Sequence, residues 1–172
     1  DPAFYQKQNL PIPTLQLLRE EDDGVVISGM KMLATGAVIA DEIWIGNVIP
    51  LAPDQSKQAI TCAIPCNAPG LSLWSRKPLE PNAYNEFDSP LSWRLDETDA
   101  MVMCDEVKVP WERVFVLDDA TQSYQIYNKT PSHCYGNHQS NVRFHTKMRL
   151  LVALASKITQ STGANKIPAV VE

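Results

Sequence analysis

The sequence predicts a mainly β chain: an antiparallel, sandwich-like or barrel-like β domain, followed by helices that begin an all-α domain. Short runs of β-branched and aromatic residues recur along its first two thirds and are separated by turn residues. Of the 13 prolines, all but Pro131 and Pro168 lie within the first 110 residues. After Leu117 the apolar residues change to helical spacing. We therefore place a β domain at 1–118 and the start of a helical domain at 119–172.

The strands follow one another in the order of an antiparallel architecture. The segment TLQLLREEDDGVVISG (14–29) predicts a hairpin, because β-forming residues lie on both sides of an acidic turn that ends at Gly24. LAPDQSK (51–57) predicts a loop. The remaining predicted strands are EIWIGNVI (42–49), QAITCAIP (58–65), LSLWS (71–75), the alternating and therefore half-buried TDAMVMCDEVKVP (98–110), and RVFVL (113–117).

The C-terminal segment 137–162 predicts one amphipathic helix that ends at Gly163. One helix cannot bury its own apolar stripe, so we expect it to pack on helices outside this chain or on another copy. The chain starts at Asp1 rather than Met and stops soon after this helix, so we expect an internal piece of a longer protein. The stripe consists of Val142, His145, Met148, Leu151, Val152, Ala155 and Ile158.

The composition excludes several classes of function. With 44% apolar residues, 20% charged residues and a net charge of −5 without a basic run, the chain is globular and is not expected to bind nucleic acid. Its apolar runs are too short to cross a membrane. The spacing of Cys62, Cys66, Cys104 and Cys134 lacks a disulfide or zinc framework, so we expect reduced thiols in a cytoplasmic protein.

All three histidines lie in PSHCYGNHQSNVRFH (131–145), together with Cys134. His138 and His145 are seven residues apart and share a helical face. Cys134 is four residues before His138, but it precedes the predicted start of the helix, and the stretch has no acidic ligand. The pattern does not favour a metal site. A catalytic role and an ordinary helix start both stay open.

Three ordered blocks carry a family resemblance: GMKMLATGAVIADEIWIG (29–46), AIPCNAPGLSLWSR (63–76) and FDSPLSWRLDETDAMVMCDEVKVPWERVF (87–115). They resemble the middle β domain of the 4-hydroxyphenylacetate 3-monooxygenase family, which includes chlorophenol monooxygenases. HQSNVR (138–143) and TGANKIPAV (162–170) resemble the start of its C-terminal helical domain. The wider fold resembles acyl-CoA dehydrogenases, in which a β domain lies between two helical domains.

The resemblance implies the oxygenase half of a two-component system. Such an enzyme takes reduced FAD from a separate flavin reductase and uses O2 to hydroxylate a phenol ortho to its hydroxyl. It also implies a homo-oligomer, either a dimer or a tetramer. The family's first helical domain and other flavin-binding residues are missing from this sequence, so we expect the chain by itself to be inactive.

Two alternatives stay open. The first is a piece of a CoA-ester dehydratase or dehydrogenase of the same architecture, and the second is a non-enzymatic β-sandwich binding module. 4-Hydroxybutyryl-CoA dehydratase places a cysteine seven residues after the helix histidine to help hold an iron–sulfur cluster. His145 stands at the matching position here, which counts against a cluster.

By resemblance, Ala34, Thr35 and Gly36 contact the flavin ring. Thr35 offers a hydroxyl where a strand ends, and Gly36 leaves room for a flat ligand. The alternative is a plain strand-ending turn. By the same resemblance, Gly46, Asn47 and Val48 contact the substrate, and the following loop (49–57) closes over it. The alternative for Asn47 is a polar residue on the exposed face of a strand.

By resemblance, His138 is the base that takes the phenol proton, for which an imidazole is suited near neutral pH. Asn137 and Gln139 stay open as candidates for the same position, because they are the neighbours of His138 in the alignment. Arg143 suits an anionic part of reduced FAD. The acidic cluster Asp96, Glu97 and Asp99 could serve acid–base chemistry, but we prefer a turn whose carboxylates pair with Arg94 or Arg113.

Overall fold

The computed structural model describes residues 2–10, 13–96 and 98–171. The chain forms two compact units, Asp1–Gln125 and Ile126–Glu172, and each is described by itself. The predicted boundary after residue 118 stays a prediction. Among the described residues, no helix is both long and apolar enough to cross a membrane.

The described residues of the first unit form seven strands and short helices. The strands are β1 Gln16–Glu21, β2 Gly24–Thr35, β3 Glu42–Ile45, β4 Thr61–Pro65, β5 Leu71–Ser75, β6 Asp99–Pro110 and β7 Val114–Val116. The α-helices are α1 Pro2–Lys7 and α2 Pro90–Arg94 in this unit, α3 Ala120–Lys129 across the boundary, and α4 Ser132–Thr162 and α5 Pro168–Val171 in the second unit. Short 3-10 segments lie at Ala37–Ile39, Pro53–Gln58, Glu80–Asn82, Trp111–Arg113 and Ala164–Lys166.

The strands form two antiparallel sheets, ordered β1-β2-β6-β5 and β3-β4-β7. The predicted fold class, antiparallel β structure followed by a long helix, is confirmed. The predicted hairpin forms from β1 and β2, and β5 has its predicted bounds. The strand predicted at 42–49 is too long, because it ends at Ile45, where the chain leaves β3 and the Asn47 side chain bonds to other elements.

The buried core takes side chains from both sheets. The second sheet contributes Ile43, Ile45, Cys62 and Ile64. The first sheet contributes Val25, Ile27, Ala100, Val102, Cys104, Val107 and Val109. The alternation predicted for 98–110 is confirmed, because every second residue of β6 is buried on either side of an irregularity at Asp105 and Glu106.

Gly29 allows a close approach of two backbone segments beside this irregularity. The β2–β6 register shifts between Ile27 and Gly29, and the φ angle of Gly29 is 114°. A Cβ at this position would lie 2.7 Å from the carbonyl oxygen of Thr14 and 2.8 Å from the Cα of Leu15. Because only glycine avoids both contacts, it lets the fully buried Leu15 enter the core.

In the second unit, α4 ends at Gly163, whose φ of 76° is left-handed, as predicted. The helix starts at Ser132, so the expectation that Cys134 precedes it was wrong. Pro131 lies directly before the first turn. Its missing N–H costs no hydrogen bond there, because the first N–H groups of a helix have no carbonyl partner within the helix. Along α4 no described residue is buried, and Val142, Leu151 and Ile158 are each more than half exposed.

The four cysteines are free thiols in different surroundings. Cys62 and Cys104 are buried in the core, whereas Cys134 is exposed on α4. Burial raises the pKa of Cys62 to about 12 and that of Cys104 to about 11, because a thiolate would lose its hydration there. Both groups therefore stay protonated and poorly nucleophilic near neutral pH.

We predict that iodoacetamide at pH 8 alkylates Cys134 in the folded protein at least roughly 100-fold faster than Cys62 or Cys104, since each pKa unit removes about tenfold of thiolate. Peptide mass spectrometry over time measures the three rates. In guanidinium chloride all the cysteines should react alike. Alkylation of Cys62 at the rate of Cys134 in the folded protein would contradict the buried placement.

Candidate cofactor and substrate site

A cavity of about 130 Å³ opens between the end of β2 and the strand β3. For comparison, an apolar cavity of about 150 Å³ binds benzene, so the space suits one six-membered ring. Apart from one lysine its lining side chains are apolar, although its walls expose polar atoms as well. The lining residues are Lys31, Met32, Leu33, Ala34, Ile43, Trp44, Ile45, Gly46 and Val102.

Lys31 supplies the charge in this lining. Its Nζ donates a hydrogen bond to Asn47 Oδ1 across 2.5 Å. Among the described residues, no carboxylate forms an ion pair with it. Burial lowers the pKa of Lys31, and the nearby Cys62 thiol opposes this effect more weakly. The site thus holds a partly desolvated ammonium group with a neutral partner.

Asn47 fixes the position of this lysine. Its amide nitrogen donates to the carbonyl oxygen of Gln58 and to Ser123 Oγ, each across 2.9 Å. Ser123 is only 1% exposed. The orientation of the amide is determined, because a flip would turn its NH2 group toward the ammonium of Lys31 and its oxygen toward a carbonyl. Asn47 therefore joins β2, the turn Pro53–Gln58 and α3.

Thr35 and Gly36 form the end of β2. Thr35 Oγ1 donates to Asp99 Oδ1 across 2.5 Å, and the two residues are register partners of β2 and β6. Gly36 has a left-handed φ of 75° and donates its N–H to the Thr98 carbonyl oxygen across 2.9 Å. A Cβ on Gly36 would meet nothing within 4 Å. This end of β2 is therefore open enough for a flat ligand to approach.

The predicted substrate residues are in three different settings. Gly46 lines the cavity, Asn47 supports its lysine from behind, and Val48 is 63% exposed and is not among the lining residues. Asn47 is half-buried and lies beyond β3, so the alternative of an exposed strand residue was wrong. The loop 49–57, predicted to act as a lid, contains all of the 3-10 segment Pro53–Gln58 except its last residue.

The second unit carries the predicted base and the predicted flavin arginine. His138 is exposed on α4, and Arg143 is half-buried on the same helix. They are five residues apart and therefore point to different sides of the helix, whereas His138 and His145 share a side. Among the described residues, no group of three or more His, Cys, Asp or Glu could hold a metal ion.

The acidic cluster has other partners than those predicted. Asp96 forms an ion pair with Arg76, and Asp99 accepts the Thr35 hydroxyl. Glu97 lies outside the described residues. For Asp96 and Asp99 the prediction of Arg94 or Arg113 was wrong, because pairing of β5 with β6 brings Arg76 to the start of β6, where its backbone N–H donates to the carbonyl oxygen of Asp99. Arg94 pairs with Glu86 and Arg113 with Glu42.

The sequence argument missed Lys31, Gln58 and Ser123. Lys31 had a visible signal, because it is the only charged residue between Gly24 and Thr35 in a strand that enters the core. The backbone carbonyl of Gln58 and the hydroxyl of Ser123 had no such signal in the sequence. Their roles depend on contacts with Asn47 across 11 and 76 residues of sequence.

Comparison with known proteins places this chain in a family. Residues 3–116 match the family model described as 4-hydroxyphenylacetate 3-hydroxylase N terminal. The chain belongs to this family of FADH2-dependent monooxygenase oxygenase components. The family resemblance read from the three sequence blocks is thereby confirmed.

Two relatives and one solved structure illustrate the similarity. The pyoverdin chromophore biosynthetic protein PvcC of Pseudomonas aeruginosa is 34% identical over 148 residues, which are 84% of this chain and 30% of the relative. The 2,4,6-trichlorophenol monooxygenase of Cupriavidus pinatubonensis is 33% identical over 161 residues, which are 92% of this chain and 30% of the relative. The chain thus spans about 30% of the length of such relatives.

The solved structure is the oxygenase component (HpaB) of 4-hydroxyphenylacetate 3-monooxygenase complexed with FAD and 4-hydroxyphenylacetate. It is 30% identical to this chain and superposes with a TM-score of 0.83, covering 95% of this chain and 34% of HpaB. The antiparallel sheets and the long helix are therefore a segment of an HpaB-like multidomain architecture.

We predict that Asn47→Ala lowers the free energy of unfolding by about 2–3 kcal/mol, because the ammonium of Lys31 and the buried hydroxyl of Ser123 lose their partner. Urea denaturation followed by tryptophan fluorescence measures the change. The exposed Asn82 is a matched control, and its substitution by alanine should change stability by less than about 0.5 kcal/mol. Equal effects of the two substitutions would refute a structural role for the Asn47 amide.

Proposed function

We propose that the whole protein is the oxygenase component of a two-component monooxygenase. It hydroxylates a phenol ortho to its hydroxyl, takes reduced FAD from a separate flavin reductase, uses O2 and acts as a homo-oligomer. One observation carries this proposal: a ring-sized cavity lies beside the open end of β2, in a chain that superposes on HpaB complexed with FAD and 4-hydroxyphenylacetate.

The end of β2 fits the edge of a flavin ring. Gly36 leaves open space where any other residue would place a Cβ, and Ala34 adds only a methyl group. The hydroxyl of Thr35 is held by Asp99, so its oxygen is fixed and can still accept a hydrogen bond from a ligand. Ala34, Thr35 and Gly36 would hold the ring, and reduced FAD, when bound, supplies the electrons that activate O2.

The remaining residues would prepare the phenol. Apolar side chains in the cavity wall, including Ile43 and Val102, would pack against the ring. His138 would take the phenol proton on its imidazole nitrogen, which leaves the ring richer in electrons and more reactive at the ortho carbon. Arg143 would place its guanidinium against an anionic part of the cofactor.

We predict that the whole protein, supplied with chemically reduced FAD, O2 and 4-hydroxyphenylacetate or a chlorophenol, forms the ortho-hydroxylated product. Mass spectrometry with ¹⁸O2 should find one labelled oxygen atom in the product. Omission of reduced FAD or of O2 is the control and should abolish the product. Turnover of a CoA ester without O2, and no hydroxylation of any phenol, would favour the CoA-ester alternative instead.

We predict different effects for the two α4 residues. His138→Ala should slow hydroxylation by roughly 10²–10⁴-fold, the usual effect of losing a positioned general base, and leave binding of reduced FAD unchanged. This loss should shrink as the pH rises, because the phenol then ionises without help. Arg143→Ala should weaken reduced-FAD binding at every pH, because a charge-assisted contact is lost. Stopped-flow kinetics and anaerobic FAD titration separate the two effects.

His145→Ala is the matched control, because His145 lies on the same helix and the same side as His138 but has no assigned role. It should leave both measured quantities nearly unchanged. If His138→Ala hydroxylates as fast as the unmodified protein at neutral pH, His138 is an ordinary helix residue and another group takes the proton.

A further inference from the structure

The hydroxyl of Thr35 has a fixed hydrogen-bond direction. Its Oγ1 lies 2.5 Å from Asp99 Oδ1, and an ionised carboxylate can only accept, so the hydroxyl proton points at Asp99. A hydroxyl has one proton and two lone pairs, so Oγ1 keeps only acceptor capacity for any further partner. Among the described residues Oγ1 has no such partner, and Thr35 is exposed at the end of β2.

The backbone holds Asp99 in this place from two sides. Asp99 and Thr35 are register partners of β6 and β2. Beside them the Gly36 N–H donates to the carbonyl oxygen of Thr98 across 2.9 Å. On the other side of β6, the Arg76 N–H donates to the carbonyl oxygen of Asp99 across 3.0 Å. Because β6 is an inner strand between β2 and β5, the sheet itself presents the carboxylate to the Thr35 hydroxyl.

An oxygen that can only accept distinguishes the two redox states of a flavin. The N5 atom bears a lone pair and no hydrogen in the oxidised ring, whereas in the reduced ring it is an N–H donor. The C4a–N5 edge carries the oxygen chemistry of flavins, so a hydroxylating site needs this edge next to the substrate. Leu33 and Ala34 line the ring-sized cavity and Thr35 follows them directly, so this edge is the one that would face Oγ1.

We propose that Asp99 is a positioning residue that makes the Thr35 hydroxyl an acceptor, so that the end of β2 favours reduced over oxidised FAD at N5. An N5–H group donates to Oγ1, whereas the N5 lone pair of oxidised FAD would face another lone pair. Asp99 acts through Thr35 and does not itself touch the cofactor. The presence of a flavin rests on the function proposed above, whereas the direction of the hydroxyl rests on Asp99 alone.

The test uses the whole protein and measures, without O2, the dissociation constants of oxidised FAD and of dithionite-reduced FAD. The ratio of the two constants, oxidised over reduced, reports the preference. Asp99→Asn keeps the shape of the side chain, but its NH2 group can donate to Oγ1 and free the hydroxyl proton for the ligand. Asp105→Asn is the matched control, because Asp105 is exposed further along the same strand.

We predict that Asp99→Asn lowers this ratio roughly 3- to 10-fold, the range for one hydrogen bond, and that Asp105→Asn leaves it unchanged. Thr35→Val removes the hydroxyl, keeps the branched shape and should lower the ratio by a similar factor. In the Thr35→Val protein, adding Asp99→Asn should change the ratio by less than about twofold, because Asp99 has lost the group through which it acts. An equally large effect of Asp99→Asn without the hydroxyl would mean that the carboxylate acts on FAD directly, and would overturn the inference.

The unmodified protein provides a second measurement that does not depend on the variants folding. Reduced 5-deaza-FAD carries a CH2 group in place of N5–H and cannot donate to Oγ1, so it should bind roughly 3- to 10-fold more weakly than reduced FAD. Equal affinities would overturn the assignment of Asp99.

The inference and the proposed function fail in different ways. Binding of neither form of FAD would refute both together. Binding of reduced FAD with a ratio that Asp99→Asn does not change would refute the inference alone. Selective binding of reduced FAD that depends on Asp99, without hydroxylation of any phenol, would refute the proposed function and leave the role of Asp99 intact.

Discussion

The Asn47 side chain makes the hydrogen bonds on which the candidate site depends. It connects Lys31 of β2, the turn Pro53–Gln58 and Ser123 of α3, three elements that are distant in sequence. An amide suits this position because it offers an acceptor to the ammonium and donors to a carbonyl and a hydroxyl, without adding charge. Aspartate would satisfy Lys31 but would cancel its charge and face a carbonyl oxygen. The neutral Asn47 amide therefore holds these three elements together and leaves the charge of Lys31 in place.

The long pairing of β2 with β6 places the rest of the site. Register partners Thr35 and Asp99 lie at one end of this ladder, where the hydroxyl and the carboxylate bond to each other. The irregularity at Gly29 lies further along, and it admits the buried Leu15. A strand of twelve residues can thus enter the core at one end and carry Lys31 and Thr35 in its less buried half.

Local patterns predicted the fold better than the site. The alternation of residues 98–110, the turn at Gly24 and the stop at Gly163 are local signals, and the structure has all three features. The predicted partners of Asp96 and Asp99 were wrong. The observed partners follow from the pairing of β5 with β6, and the sequence does not state which strands are neighbours. The contact of Asn47 with Ser123 joins residues 76 positions apart, and no local pattern indicates it.

The surface charges show by contrast why Lys31 is not a stabilising residue. Arg19 pairs with Glu21 and Glu106, and Lys108 pairs with Glu21 and Asp23, all of them at least partly exposed to solvent. Such pairs contribute little to stability, yet every cation among them has an anion. Lys31 is more deeply placed, and among the described residues it bonds to the neutral Asn47 amide and forms no ion pair. A partly desolvated cation with a neutral partner costs stability, and the bond to the Asn47 amide offsets part of that cost.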